Sequence, residues 1–144
     1  MPKLRWYVYP ILFVATVYTA HFAIDLFIPA ETTPEHIAMA EQYLEDENLP
    51  TPDLAFTRDG CTLWPDALFF HDFKEACLAH DIAYWAGGSV ERQHEANVNF
   101  RSDVAKTGPL GPALGLLMYA GVEYLGDNGV SRTVDSEWVY GWIK

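Results

Sequence analysis

Within the run Cys77-Leu78-Ala79-His80-Asp81-Ile82-Ala83-Tyr84, three side chains able to do acid–base or metal chemistry stand within about two helical turns. His80 and Tyr84 are four residues apart and share a helix face, while Asp81 follows about 100° round the axis from His80. An imidazole and a carboxylate set side by side suit a hydrolase in which the histidine deprotonates water and the carboxylate holds a metal ion that polarises a carbonyl. Adjacent His and Asp are weak evidence alone, because such neighbours also form solvated or capping pairs. A second example, His71-Asp72, reads as the start of the same helix with Asp72 near its cap. A zinc centre drawn from His71, His80 and His94 is disfavoured, since no close His-x-x-His or Cys-x-x-Cys spacing supports it. His36 and His94 read as surface histidines.

Local signals place the elements that must hold this pair. Thr33-Pro34-Glu35 offers an N-cap, a proline at the first helical position and an acid in the first turn, so a short helix is expected to about Glu45. Its apolar stripe is Ile37, Ala40, Tyr43 and Leu44, and Leu49-Pro50-Thr51-Pro52 follows as an extended connector. Asp53 to about Phe69 reads as a loop. The helical spacing of Leu68, Phe73, Cys77, Ala83, Tyr84 and Trp85 predicts a helix from about Phe70 to Trp85, stopped by Gly87-Gly88. Ser89 caps a third helix to about Ala105, whose face of Val90, His94, Asn97, Arg101 and Val104 carries polar groups toward its neighbour. Lys106-Thr107-Gly108-Pro109 breaks it. Residues 110–125 are apolar, but the run is short and holds Gly111, Pro112, Gly115 and Gly121, so a buried helix is expected instead of a membrane span. Asp127-Asn128-Gly129 reads as a turn, and Trp138-Val139-Tyr140-Gly141-Trp142 forms an aromatic tail. The fold class is therefore mostly α.

Half of the 144 residues are apolar, with five Trp, eight Tyr and eight Phe, as in globular proteins. A formal charge of −11 repels phosphate backbones and excludes nucleic acid as a partner, while favouring cations. The one basic signal is N-terminal: Lys3 and Arg5 precede an apolar stretch from Trp6 to Ala20 that resumes from Phe22 to Ile28. As a helix, residues 6–29 would span roughly 36 Å, enough to cross a bilayer. The positive start predicts a single-pass topology with everything after Ala30 on the non-cytoplasmic side, periplasmic or extracellular. The competing readings are a cleaved signal peptide, giving a secreted protein, and a buried core helix. His21 and Asp25, four apart near the outer end, read as a local pair. The chain divides into an N-terminal anchor at 1–30, a short helix and linker at 31–52, and one domain at 53–144. Cys61 and Cys77 would form a disulfide worth roughly 3 kcal/mol in an oxidising compartment, with two free buried thiols as the alternative.

The pattern Cys-x-x-His-Asp-x-x-Tyr, met here as Cys77, His80, Asp81 and Tyr84, resembles the active-site helix of the secreted phospholipase A2 superfamily. Tyr84-Trp85-Ala86-Gly87-Gly88-Ser89, Arg92 and Ala96-Asn97-Val98-Asn99-Phe100 look like its short bacterial branch. The resemblance covers about residues 59 to 104. It implies an antiparallel helix pair preceded by a calcium loop, and a Cys61–Cys77 disulfide, since Cys61 stands where the family's calcium-loop half-cystine stands. It also implies that His80 is the general base toward water, that Asp81 binds calcium with the backbone carbonyls of Gly60, Thr62 and Trp64, and that Tyr84 supports the histidine's hydrogen bonds. The substrate would be a phospholipid or other acyl ester. Two departures stand out. Asn97 replaces the family's aspartate behind the histidine, and so brings no charge to an imidazolium. The loop Asp59-Gly60-Cys61-Thr62-Leu63-Trp64-Pro65-Asp66 lacks the family's glycines, which turn carbonyls toward the ion. The alternative expectation is an inactive relative serving as a binding or assembly subunit of a membrane complex.

Overall fold

The computed structural model describes residues 30–61, 64–68 and 70–128. The expected anchor at 1–30 (Ala30 apart), Thr62, Leu63, Phe69, Gly129 of the expected turn, and the aromatic tail lie outside the described residues. The described chain is mostly helical. Helix α1, Pro34–Asp46, begins as its sequence predicts: the Thr33 hydroxyl accepts from the His36 backbone N–H at 3.3 Å, and His36 Nδ1 accepts from the Thr33 N–H at 3.2 Å. His36 is thus a capping residue, the imidazole replacing the usual acid of a capping box. Ala40 and Leu44 are buried, whereas Ile37 is exposed.

A two-stranded antiparallel ladder follows, β1 (Ala67–Leu68) against β2 (His71–Asp72), with Ala67 opposite Asp72 and Leu68 opposite His71. It corrects the expected helix start near Phe70: helix α2 runs Lys74–Ala86. The ladder takes up residues 71 and 72, and Asp72 Oδ1 then accepts from the Lys74 N–H at 3.0 Å, so Asp72 sits at the helix entrance as expected although it is in a strand. His71 is fully buried, its Nδ1 3.1 Å from Thr107 Oγ1. The bend before α4 is glycine for a related reason, since a Cβ on Gly108 would lie 2.8 Å from His71 Cε1.

Helix α2 stops at Gly87, which has φ 70°, a conformation that favours glycine. Ser89 then caps α3, Val90–Ala105, as predicted. Tyr84 and His80 meet Asn97 and Phe100, while Cys77 packs in one cluster with Phe100 and Val104, so α2 and α3 run antiparallel. Helix α4, Gly111–Asn128, continues through the expected turn at Asp127 and Asn128. It is also not buried all round: Leu116, Leu117 and Tyr124 are more than half exposed, while Met118 faces α2 and α3 in the core. No helix among the described residues is long and apolar enough to cross a membrane.

Two apolar clusters result. Phe73, Ala76, Cys77, Phe100, Val104 and Met118 join α2, α3 and α4, and Ala40, Phe56, Leu78 and Ile82 hold α1 and the loop to the other side of α2. The α3–α4 contact is backbone-close. A Cβ on Gly111 would lie 2.5 Å from the Ala105 carbonyl oxygen, and one on Gly115 2.6 Å from that of Arg101, whereas at Gly121 nothing lies within 4 Å. These glycines disqualified the segment as a membrane span in the sequence, and two of them let the helices touch. Gly115→Ala should therefore cost about 1–3 kcal/mol through overpacking, although alanine is the better helix former. Gly121→Ala, on the same helix, should gain about 0.5–1 kcal/mol. Equal shifts of the two denaturation midpoints would refute the close contact.

Candidate active site

A disulfide joins Cys61 to Cys77, with Cα atoms 5.2 Å apart, and so ties the loop before the hairpin to the first turns of α2. This connection brings the loop onto Asp81. The Gly60 N–H donates to Asp81 Oδ2 at 3.1 Å, and Asp59 stands against the same carboxyl. Gly60 has φ 75°, a conformation that favours glycine, and a Cβ there would also crowd Ala30 Cβ at 3.1 Å. Asp66 braces the loop from behind: its Oδ1 accepts from the Cys61 N–H at 3.4 Å and its Oδ2 lies 3.7 Å from Arg58 Nη2.

Burial, and then the neighbouring charge of Asp59, push the Asp81 carboxyl up to about 9. Without a cation, a proton is therefore held at this pair near neutrality. Asp59 acts on His80 as well, so one acid lies within electrostatic reach of both the imidazole and the Asp81 carboxyl. Burial lowers the His80 pKa, opposed by its hydrogen bond to Asn97 and by Asp59, which favours a neutral ring at neutral pH.

The ring of His80 is held from three directions. Its Nε2 lies 2.8 Å from Asn97 Oδ1, and the rings of Tyr84 and Phe100 flank it with centroids 4.2 and 4.8 Å away. A carbonyl oxygen only accepts, so Nε2 carries the hydrogen and Nδ1 keeps a lone pair. Nδ1 makes no hydrogen bond among the described residues. Tyr84 donates to the same Oδ1 at 2.7 Å. The Asn97 nitrogen donates to Glu123 Oε1 at 3.1 Å, and His94 Nδ1 reaches that oxygen at 3.2 Å. His94 is exposed as expected, but paired.

His80 also lines a cavity of about 310 Å³ between α2 and α3, walled by Ala76, Ala79, Ala83 and Phe100 and rimmed by charged residues, among them Arg92 and Asp103. Small side chains at those α2 positions leave the room. Arg92 bonds Glu47 and the Tyr43 hydroxyl, at 3.2 and 3.1 Å, closing one end against α1.

Of the residues singled out in the sequence, the structure thus brings together His80, Asn97 and Tyr84 as one network, and Asp81 with Gly60 as a second. Gly60 meets Asp81 through its N–H, whereas the resemblance implies a carbonyl. The Trp64 N–H closes a turn onto the Cys61 carbonyl at 2.7 Å. Among the described residues no group of three or more His, Cys, Asp or Glu side chains is arranged to hold a metal. Two hard carboxylates whose repulsion a cation would relieve do fit the chemistry of calcium, with the remaining oxygens to come from backbone and water. Sequence reasoning missed Glu123, although it is the only charged residue between Lys106 and Asp127. No family model, curated protein or solved structure matches the chain.

The raised Asp81 pKa has a definite sign in stability. Between the ordinary carboxylate value and about 9 the folded, metal-free protein binds a proton that the unfolded chain does not, so stability falls as pH rises through that window. From about pH 7 to 8.5, above the range of His80, the contribution is at most about 1.4 kcal/mol per pH unit. Denaturant midpoints measured in chelator should drop over this range, and Asp81→Asn should flatten the drop. An equal slope in both proteins would show that Asp81 ionises normally.

Proposed function

We propose that the chain is a phospholipase A2-like, calcium-dependent hydrolase of phospholipid or related acyl esters, working beside a membrane to which its N-terminal segment attaches it. The observation that carries the reading is the orientation of His80. Its Nε2 is engaged by Asn97, its Nδ1 lone pair is left for a water molecule, and Asp81 adjoins it under a loop tied down by the disulfide. In this reading Nδ1 takes a proton from water as the water oxygen bonds to the ester carbonyl carbon. The carbon–oxygen bond to the alcohol then breaks, and the proton passes from the imidazolium to the leaving alkoxide, giving a fatty acid and a free hydroxyl. Asp81 would hold calcium, helped by Asp59 and by the carbonyls of Gly60, Thr62 and Trp64. When bound, that ion supplies positive charge for the carbonyl oxygen. Tyr84 keeps Asn97, and through it the ring, in place. Phe70, exposed in the turn of the hairpin, suits contact with lipid.

One observation favours a second reading, an inactive binding or assembly subunit of a membrane complex: the group behind His80 is an uncharged amide, which stabilises an imidazolium less than a carboxylate does. The full-length chain in mixed detergent–phospholipid micelles separates the two. The hydrolase reading expects calcium-dependent fatty-acid release, abolished by chelator and lowered about 10²- to 10⁴-fold in kcat by His80→Gln. Release that ignores both chelator and His80→Gln, or no release at all, would sink it.

A further inference from the structure

We propose that Glu123 is a positioning residue for His80, acting through Asn97: by holding the amide nitrogen it turns the amide oxygen to the ring and selects the Nε2–H tautomer. A primary amide is nearly symmetrical in shape, so packing alone does not decide which end of Asn97 faces the imidazole. In the observed orientation every group is matched. The Tyr84 hydroxyl and His80 Nε2–H donate to Oδ1, and Nδ2 donates to the Glu123 carboxylate. Turned over, the amide would set its oxygen against a carboxylate, acceptor on acceptor, and its NH2 against the ring. His80 could then bond it only with Nε2 unprotonated, which moves the hydrogen to Nδ1 and removes the lone pair from the nitrogen that Asn97 leaves unengaged. Asn97 is 1% exposed, so water does not soften that choice.

Glu123 is itself fixed, since His94 bonds the same oxygen from α3. It also stands four and eight residues beyond Tyr119 and Gly115, on the side of α4 that Gly115 presses against Arg101. Tyr119 packs there under the Arg101 guanidinium, 5.8 Å from its ring centre. The lone acid of an apolar stretch is thus delivered to the amide that orients the histidine. The arrangement accounts for an asparagine in this place: a carboxylate at residue 97 would meet Glu123 head on, whereas an amide relays its orientation.

The effect on rate rests on the reading of His80 as base, but the tautomer does not, and the test reads both. In full-length protein labelled with ¹⁵N-histidine in detergent micelles, long-range proton–nitrogen spectra of neutral His80 should show the Nε2–H form. Glu123→Ala should convert much of it to Nδ1–H and lower kcat about tenfold to hundredfold with KM unchanged. Glu123→Gln, whose oxygen still accepts from Asn97, should give a smaller shift of both and covers the case in which the alanine variant does not fold. In an Asn97→Asp background the sign should reverse, Glu123→Gln raising the rate by relieving two facing carboxylates. A tautomer unchanged in a folded Glu123 variant, or an Nδ1–H ring in the unaltered protein, overturns the proposal. A tautomer shift in a protein without esterase activity supports it while removing the hydrolase reading.

Discussion

The covalent link between Cys61 and Cys77 is the constraint on which the candidate site depends. Among the described residues from Asp53 to Asp66 the chain forms no helix or strand, and its other ties are scattered: the Arg58 N–H to Thr32 at 2.8 Å, the Trp85 indole to the Leu54 carbonyl at 2.7 Å, and the Asp66 contacts. A single hydrogen bond such as Gly60 to Asp81 contributes on the order of 1 kcal/mol net, comparable to the entropy lost in fixing one residue. Closing the 16-residue separation is worth about 3 kcal/mol, enough to keep Asp59 and Gly60 over a carboxyl that burial alone would leave poorly solvated.

The same region sets stability against chemistry. Asp81 is the costly group, held largely away from water beside another acid, and the fold tolerates it because the Gly60 N–H bonds it from a loop that the disulfide ties down. The network at His80 is the opposite case. Asn97, buried among helices, has both ends of its amide engaged, so it adds specificity to the α2–α3–α4 contact without an unmatched polar atom of its own. One half of the site is therefore strained by charge and the other is settled by hydrogen bonding, and the two meet at neighbouring residues of α2.

How much was legible in the sequence follows the range of the interaction concerned. Thr33, Ser89 and Gly87 act within a few residues of themselves, and the helix boundaries they imply are those observed. The start of α2 was not legible, because strands of two residues show no alternation and Phe70, Phe73 and Cys77 fit a helix equally well. The half-exposure of α4 depends on what lies opposite it, which no local pattern records. At the site, the shared face of His80 and Tyr84 came from helical spacing alone. The partnership with Asn97, 17 residues away, was reached by family resemblance, whereas the link to Cys61 was already offered by the cysteine pair and the compartment expected for it. Glu123 was overlooked because an isolated acid in an apolar run reads as a solubilising residue until its partner across the helix contact is known.

Helix α2 carries buried residues on more than one side: Ala76 and Cys77 against α3 and α4, Leu78 and Ile82 against α1. Opposed packing of this kind acts as a rotational lock. Adding or deleting one residue between Lys74 and Cys77 would turn the remainder by about 100°, breaking the disulfide register, swinging Leu78 into the wrong layer and carrying His80 off Asn97 together. The segment therefore tolerates changes of side chain far more readily than changes of length, so a length change in the first turn of α2 would mark a relative that no longer uses this cleft.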